Sequence, residues 1–188
     1  MGKYKIFVDG SSGTTGLRIA DRLAERDEFE ILKISEADRK DVRARAAVIN
    51  ESDLSFLCLP DDAAREVMPL LRDDVRILDT STAHRTAPGW VYGLPELNRS
   101  GLLVLGERHE KGEAVLVAVP GCYPTATALA AIPALAAGLA TGDLVISDAI
   151  SGVSGAGRSA NARTHYCHAN ESVEAYGVAH HRHTPEIE

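Results

Sequence analysis

The cysteine at position 122 occupies a place suited to a nucleophile. Cys122 lies in VPGCYPT, between an apolar run of strand length and a segment with helical spacing. The partial positive charge at a helix start favours the thiolate form, and N–H groups there can hold a developing oxyanion. We therefore predict that Cys122 is a nucleophile, with a small buried hydrophobe as the plainer alternative. Cys58, inside the apolar run LSFLCL, fits that alternative and is predicted to lie in the core.

The sequence HHRHTPE near the C-terminus supplies groups for proton transfer. His181 or His183 offers a general base near neutral pH, and Glu186 offers a carboxylate that would orient it. Metal binding is the competing interpretation, with the sequence HYCH as a further source of ligands, but these spacings match no structural zinc motif closely. We therefore predict no metal. Arg158, in the flexible sequence SGVSGAGR, is a candidate for contact with a substrate.

A glycine-rich loop stands between the first predicted strand and the first predicted helix. Its glycines follow the spacing GxxGxxG, and N–H groups at a helix start can receive a pyrophosphate. The loop therefore predicts a dinucleotide site, with a tight structural turn as the alternative. The residues predicted to bind the cofactor here are Gly10, Ser12, Gly13, Thr14, Thr15 and Gly16.

The residues after the second predicted strand favour NADPH over NADH. A dinucleotide fold that prefers NAD usually has an acidic residue at that strand end, whereas this strand ends with Ile34 and Ser35. Ser35, Arg39 and Lys40 suit a 2′-phosphate, and a solvated charge cluster before a helix is the alternative. We predict NADP(H) as the cofactor.

The sequence DTSTAHR follows the fourth predicted strand. Ligands of open α/β folds bind at the carboxyl ends of the strands, so we predict that Ser81, His84 and Arg85 contact the substrate or its phosphate. Arg85 can grip a phosphate with two parallel hydrogen bonds. A surface ion pair is the alternative for this arginine.

Apolar runs of strand length alternate with helical patterns over most of the chain. The pattern predicts an α/β fold, a Rossmann-type doubly wound parallel sheet followed by the start of an α+β substrate or dimerisation domain. The domain boundary is predicted near residue 142, giving a cofactor domain over 1–142 and a second, incomplete domain over 143–188. The predicted strands cover residues 3–8, 29–34, 54–59, 75–80, 114–119 and 144–151.

Composition excludes several functional classes. The 188 residues carry a net charge of −7 without any basic run, which argues against a nucleic-acid partner. No apolar stretch approaches the roughly 20 residues that cross a bilayer, and the N-terminus lacks the features of a signal peptide. We therefore expect a cytoplasmic protein without a membrane partner. The three cysteines are widely spaced and form no CxxC pair, so a disulfide framework is not expected.

Five motifs occur in an order that resembles the N-acetyl-gamma-glutamyl-phosphate reductase family: DGSSGTTGL, LDTSTAHR, VPGCYPTA, SGVSGAGR and HRHTPEIE. The resemblance implies an NADPH-dependent enzyme of arginine biosynthesis acting on an acyl phosphate. In that family the cysteine attacks the acyl phosphate, phosphate leaves, and the thioester takes a hydride to give the semialdehyde. By resemblance Cys122 is that cysteine, His181 or His183 is the base, and Glu186 helps to place the substrate.

The resemblance also sets expectations about length and partners. Family members continue well beyond HRHTPEIE, so we expect this chain to lack a C-terminal portion and the complete protein to form a homo-oligomer, a dimer or tetramer. Two alternatives stay open. One is a semialdehyde dehydrogenase for another acyl phosphate such as aspartyl phosphate, against which HRHTPEIE argues. The other is a nucleotide-binding module without chemistry, against which Cys122 argues.

We expect replacement of Arg39 and Lys40 together by alanine to weaken NADPH binding far more than NADH binding, because only NADPH carries the extra phosphate. Each lost charge-assisted contact costs roughly 1.5–3 kcal/mol, or about 10- to 150-fold in affinity. Titration of the double variant with each cofactor measures the two dissociation constants. An equal loss for both cofactors would show that the two residues only support the fold.

Overall fold

The computed structural model describes residues 2–140 and 144–188. The chain forms two compact units, Met1–Pro120 and Gly121–Glu188. The domain boundary predicted near residue 142 falls outside the described residues. The division between the two units lies earlier, after Pro120, so the helix that begins at Cys122 belongs to the second unit.

The first unit contains a six-stranded sheet in the order β2-β1-β3-β4-β6-β5, and every neighbouring pair is parallel. The predicted Rossmann-type parallel sheet is confirmed. The apolar runs that predicted strands supply five of them, since β-branched and large apolar residues fit a sheet that is covered by helices. The strands are β1 (Tyr4–Asp9), β2 (Phe29–Leu32), β3 (Leu54–Leu57), β4 (Arg76–Asp79), β5 (Val91–Tyr92) and β6 (Val115–Ala118).

Helices connect these strands in a doubly wound arrangement. From β1 the chain passes to β2 on one side and then crosses to β3 on the other side. Because crossovers between parallel strands are right-handed, this reversal puts the first helix on one face and the next two on the other, and it opens a crevice beside the end of β1. The helices are α1 (Thr14–Ala24), α2 (Val42–Glu51), α3 (Asp61–Val67), which continues as the 3-10 helix Met68–Leu70, and α4 (Pro95–Glu110).

The main core lies between the sheet and the helices α2 and α3. Phe7, Leu57 and Ile77 occupy one face of neighbouring strands and are almost completely buried. They pack against Ile49 of α2 and Val67 of α3 in one cluster. Burial of each large apolar side chain contributes about 1.5–3 kcal/mol, which holds α2 and α3 against this face of the sheet.

A buried ion pair closes this core at the carboxyl end of β1. Arg45 Nε lies 2.9 Å from Asp9 Oδ2, and each side chain is 3% exposed. Arg45 also donates a hydrogen bond to the carbonyl of Ala63, at 3.0 Å. Burial raises the pKa of Asp9, and the guanidinium of Arg45 opposes that rise. The pair therefore ties β1, α2 and α3 together immediately before the glycine loop.

The second unit begins with the helix α5 (Cys122–Ala136). Its later elements are short, and none of the residues described after Gly121 forms a strand. They are the 3-10 helices Val153–Ala156 and Ala162–Thr164, and the helices α6 (Tyr166–Ala169) and α7 (Thr184–Ile187). Over the described ranges of both units, every helix is too short or too polar to cross a membrane.

The strand predicted over residues 144–151 is wrong. This segment has no regular structure, and Leu144, Ile146 and Ile150 are 80%, 85% and 79% exposed. A strand needs a neighbour to receive its N–H and C=O groups, and the described part of the second unit offers none. Apolar composition alone therefore did not determine the structure here.

The sequence pattern predicts no helix or strand between β4 and β6, but the structure has β5 and α4 there. Pro95 opens α4, a position where proline is favoured because the first N–H of a helix has no partner. Asn98 interrupts the helical backbone inside α4, with φ −129° and ψ 40°. The apolar residues 102–105 of this helix are consecutive and not at helical spacing, and Leu103 and Val104 are exposed, so the sequence lacks the periodicity that predicts a helix.

We expect Arg45→Met to lower the free energy of unfolding by about 3–5 kcal/mol, because the substitution leaves the Asp9 carboxylate buried without its cation. Urea unfolding at neutral pH measures the change. Lys5→Met is the matched control, since it breaks the exposed Lys5–Glu51 pair and should change stability far less. Equal losses for the two variants would contradict a special contribution from the buried pair.

Candidate active site

The glycine loop packs its backbone tightly against its surroundings. Gly10 has φ +85°, and Gly13 N donates a 2.9 Å hydrogen bond to Gly10 O. A Cβ built on Gly10 would overlap the carbonyl of Cys58, and one built on Gly16 would overlap the carbonyl of Gly10. Side chains are therefore excluded where the end of β3, the loop and the first turn of α1 meet.

The start of α1 has the properties of a phosphate site. Its N-cap is Gly13, so no side chain of the N-cap residue accepts a hydrogen bond from the first N–H groups of the helix. The hydroxyl-bearing residues Ser12, Thr14 and Thr15 are exposed beside it. The structure thus brings the predicted cofactor-binding residues of the loop together at the positive end of a helix, in the crevice beside β1, which fits a dinucleotide pyrophosphate.

The predicted 2′-phosphate residues lie in a turn after β2 that also contains two acids. Ser35 Oγ donates a 2.7 Å hydrogen bond to Asp38 Oδ2, and Arg39 Nε lies 2.8 Å from Glu36 Oε1. Lys40 is exposed. Exposed ion pairs are weak, so a phosphate dianion can compete with Glu36 for the arginine. The role of these residues stays a prediction.

The turn after β4 is organised around a buried carboxylate. Asp79 accepts hydrogen bonds from Ser81 Oγ at 2.8 Å and from His84 Nδ1 at 2.6 Å. The imidazole of His84 stacks on Trp90, with ring centroids 4.1 Å apart. Ser81 and His84 are both buried, so the structure shows them holding the turn. Their contact with a substrate stays a prediction.

Arg85 joins the ends of two neighbouring strands. Its Nε donates to the carbonyl of Val119 and its Nη2 to the carbonyl of Thr80, each at 2.9 Å. Val119 directly follows β6, and the chain continues from there through Pro120 to the cysteine motif. The guanidinium is thus fixed at the carboxyl edge of the sheet, where ligands of such folds bind. Its contact with a phosphate stays a prediction.

Cys122 is exposed and is the first residue of α5, as predicted. Thr125 secures the helix start, because its N and Oγ1 donate to the carbonyl of Gly121 at 3.0 and 2.7 Å. Glu186 Oε2 accepts a hydrogen bond from Gly121 N at 3.1 Å. The predicted carboxylate therefore contacts the backbone immediately before the cysteine.

The two candidate histidines lie in an aromatic cluster beside Cys122. The ring of Tyr123 meets His181 edge to face at 5.5 Å and lies 6.0 Å from His183. The two imidazoles are 5.0 Å apart, and His181 Nδ1 accepts a 3.2 Å hydrogen bond from His183 N. Within the second unit the structure thus brings together Cys122, Glu186 and both histidines.

Two tyrosines and a serine in this cluster were missed by the sequence analysis. Tyr123 Oη donates to Ser151 Oγ at 2.8 Å, and Tyr176 packs against His181 with ring centroids 5.0 Å apart. Partial burial raises the pKa of Tyr176 to about 12, and the hydrogen bond with Tyr123 and the charge of Cys122 act in the same direction. The position of Tyr123 next to the cysteine was the available signal.

The remaining candidates of the second unit are Arg158 and the residues of the sequence HYCH. Arg158 is exposed after the 3-10 helix Val153–Ala156, following Gly157 at φ +82°. In the sequence HYCH, His168 pairs with Glu174 at 3.4 Å. Within residues 2–140 and 144–188, no group of three or more histidines, cysteines or acids is arranged to hold a metal ion.

Two family models cover most of the chain. Residues 5–104 match the model described as semialdehyde dehydrogenase, NAD binding domain, and residues 122–188 match the model described as semialdehyde dehydrogenase, dimerisation domain. The chain therefore belongs to the semialdehyde dehydrogenase family.

Curated relatives of this chain are named N-acetyl-gamma-glutamyl-phosphate reductase, which confirms the resemblance found in the motifs. The relative from Trichormus variabilis is 48% identical over 85% of this chain and 48% of its own length. The relative from Brucella suis is 44% identical over 99% of this chain and 61% of its own length. The chain thus spans about half to three fifths of the length of these relatives.

A solved structure agrees with the fold. Aspartate semialdehyde dehydrogenase from Candida albicans, determined with NADP, superposes with a TM-score of 0.55 at 15% identity. The match covers 72% of this chain and 48% of that chain. At this identity the likeness concerns architecture alone.

We expect iodoacetamide to modify Cys58 about 100-fold more slowly than Cys122 or Cys167 at pH 7. Cys58 is only partly buried, directly after β3, so the prediction that it lies in the core is wrong. This partial burial raises the pKa of its thiol to about 11, which lowers its thiolate fraction, whereas the other two cysteines are exposed. Mass spectrometry of timed samples measures the three rates. Cys167 serves as the internal control for an exposed thiol, and labelling of Cys58 as fast as Cys167 would contradict the burial argument.

Proposed function

We propose that the protein formed by this chain reduces N-acetyl-gamma-glutamyl phosphate to N-acetylglutamate semialdehyde with NADPH, in the cytoplasm, as a step of arginine biosynthesis. The observation that carries the proposal is the exposed Cys122 at the start of α5, beside His181, His183 and Glu186. A binding module needs no such thiol. The names of the curated relatives support this substrate over other acyl phosphates.

Cys122 forms the covalent intermediate in this reaction. Its thiolate attacks the acyl carbon, a C–S bond forms, the bond from that carbon to the phosphate oxygen breaks, and inorganic phosphate leaves with the bonding electron pair. The positive end of α5 stabilises the negative charge that develops on the acyl oxygen. Thr125 and Glu186 keep the backbone at Gly121 in place during this step.

The glycine loop and the residues after β2 hold the cofactor in this proposal. When bound, NADPH supplies the hydride that reduces the thioester carbon. The C–S bond then breaks, the semialdehyde leaves, and the Cys122 thiolate is restored. Gly10, Gly13 and Gly16 allow close approach of the pyrophosphate, and Ser35, Arg39 and Lys40 receive the 2′-phosphate.

His181 is the more accessible of the two candidate bases, since His183 is only 4% exposed. The hydrogen bond from His183 N occupies His181 Nδ1, so the imidazole of His181 exchanges protons through Nε2. We assign to His181 the role of the base that accepts the proton of the Cys122 thiol when the attacking thiolate forms. His183 and Tyr123 hold the His181 ring by packing against it.

The proposal includes a homo-oligomer. Residues 122–188 match a model described as a dimerisation domain, and apolar side chains in and after α5, Leu129, Leu135 and Leu139, are exposed in this unit. Exposed apolar surface of this kind marks association sites. Light scattering of the protein at its full natural length measures the assembly.

A phosphate-dependent assay in the oxidative direction tests the function. The protein at its full natural length is given NADP, inorganic phosphate and either N-acetylglutamate semialdehyde or aspartate semialdehyde. We expect kcat/KM for the N-acetylated substrate to be higher by about 100-fold or more, since a site built for one polar substrate rejects another strongly. A preference for aspartate semialdehyde would assign the protein to the alternative reaction, and NADP binding without turnover would favour a binding module.

We expect Cys122→Ala to lower turnover by about 1000-fold or more while changing the dissociation constant for NADPH less than about twofold, because only the thioester step needs sulfur. Cys167→Ala is the matched control, an exposed cysteine of the same unit that should keep its turnover. Initial rates and cofactor titration measure both quantities. Activity of the Cys122 variant within tenfold of the unsubstituted protein would exclude it as the nucleophile.

A further inference from the structure

The turn from Thr80 to Arg85 is held along its whole length. Thr80 donates through N and Oγ1 to the carbonyl of Leu57, at 2.9 and 3.0 Å. Thr82 donates through N to Asp61 Oδ1 at 3.0 Å, and its hydroxyl bonds the other oxygen of the same carboxylate. These hydrogen bonds hold the turn in one conformation. A loop that only connects two secondary-structure elements is usually more mobile, so the rigidity of this turn indicates a function.

Asp79 holds the inner side of this turn. The side chain is completely buried at the end of β4, and it accepts hydrogen bonds from Ser81 N at 2.9 Å, Ser81 Oγ at 2.8 Å and His84 Nδ1 at 2.6 Å. Trp90 covers the His84 ring in a nearly parallel stack, with an interplanar angle of 6°. The carboxylate therefore fixes the residue immediately before Arg85.

The guanidinium of Arg85 bonds the backbone carbonyls that follow two neighbouring strands, Thr80 after β4 and Val119 after β6. The guanidinium makes these two bonds only when the backbone of residue 85 is in its present position. Residue 85 directly follows His84, and the side chain of His84 is hydrogen-bonded to Asp79, so the position of the Arg85 backbone depends on that bond. A contact made at a buried strand end is thus transmitted to a guanidinium at the ligand-binding edge.

We propose that Asp79 is a positioning residue that, through Ser81 and His84, holds Arg85 in place to receive the phosphate group of the substrate. The inference rests on the proposed acyl-phosphate reductase activity for the identity of the ligand. The holding of Arg85 itself rests on the contacts of the first unit alone. The same anion is the leaving group in one direction of the reaction and a substrate in the other.

The charge of Asp79 matters in this arrangement, not only its shape. The carboxylate receives three donors on its two oxygens, whereas an amide offers one oxygen and points an NH2 group at the remaining donors. Asp79→Asn keeps the volume of the side chain but removes the charge, and it keeps all three bonds only if Ser81 Oγ and His84 Nδ1 both change from donor to acceptor. The turn then loses part of its anchor while the core packing beneath it is retained.

We expect Asp79→Asn to raise the KM for inorganic phosphate about 10-fold or more in the oxidative assay, with the KM for NADP unchanged within about twofold. Ser55→Ala is the matched control, because Ser55 is also completely buried in the sheet and loses one hydrogen bond, to Ser52, away from the turn. That variant should keep both KM values. An Asp79 variant with both KM values unchanged contradicts the proposal.

Phenylglyoxal labelling of Arg85, followed by mass spectrometry, gives a second readout that needs no activity. We expect faster labelling of Arg85 in Asp79→Asn than in the unsubstituted protein or in Ser55→Ala. If the unsubstituted protein shows no phosphate-dependent turnover, the proposed function fails, and the labelling rates still decide whether Asp79 positions Arg85. Labelling at the unsubstituted rate overturns the inference.

A second substitution covers the case in which Asp79→Asn does not fold. Ser81→Ala removes one of the three donors and leaves the carboxylate with Ser81 N and His84. We expect it to shift the KM for phosphate and the Arg85 labelling rate in the same direction as Asp79→Asn, by a smaller factor. If neither the KM for phosphate nor the labelling rate changes, the role of Ser81 in positioning Arg85 is contradicted.

Discussion

The first unit is organised around two buried carboxylates, those of Asp9 and Asp79. Asp9, Leu57 and Asp79 stand in one row across β1, β3 and β4, so both acids end their strands on the same face of the sheet. A buried carboxylate is tolerated only where donors surround it. Asp9 obtains them from Arg45 of α2, and Asp79 obtains them from the turn that follows it. The need to satisfy these two groups decides where a helix packs and how a loop turns.

The described part of the second unit is held together by individual side-chain contacts and not by a sheet. Its described elements after α5 are short, so hydrogen bonds and ring contacts replace a continuous sheet as the source of geometry. The contact of Glu186 with Gly121 N joins residues that are 65 positions apart in the chain. Tyr123 places its ring against both histidines from the helix start. The reactive thiol and the groups suited to proton transfer are thereby held together without a large core.

Much of this architecture could be predicted from the sequence, and the failures have physical causes. Alternating apolar runs predicted the parallel sheet, and glycine spacing predicted the loop at Gly10, because both signals are local. The segment 144–151 has the apolarity of a strand, but pairing depends on a neighbour that local sequence does not reveal. The helix α4 was not predicted because its apolar residues 102–105 are consecutive and not at helical spacing. The bonds of Asp79 and the packing of Tyr176 arise from tertiary contacts, which spacing along the chain does not encode.

The stack of His84 on Trp90 has a practical consequence, because the chain contains a single tryptophan. All indole emission of these 188 residues originates beside the turn that carries Arg85. An imidazole in ring contact quenches an excited indole, and it does so more strongly when protonated. The native chain therefore carries its own optical probe at this one place, and changes in emission intensity or lifetime report on the surroundings of His84 without any attached label.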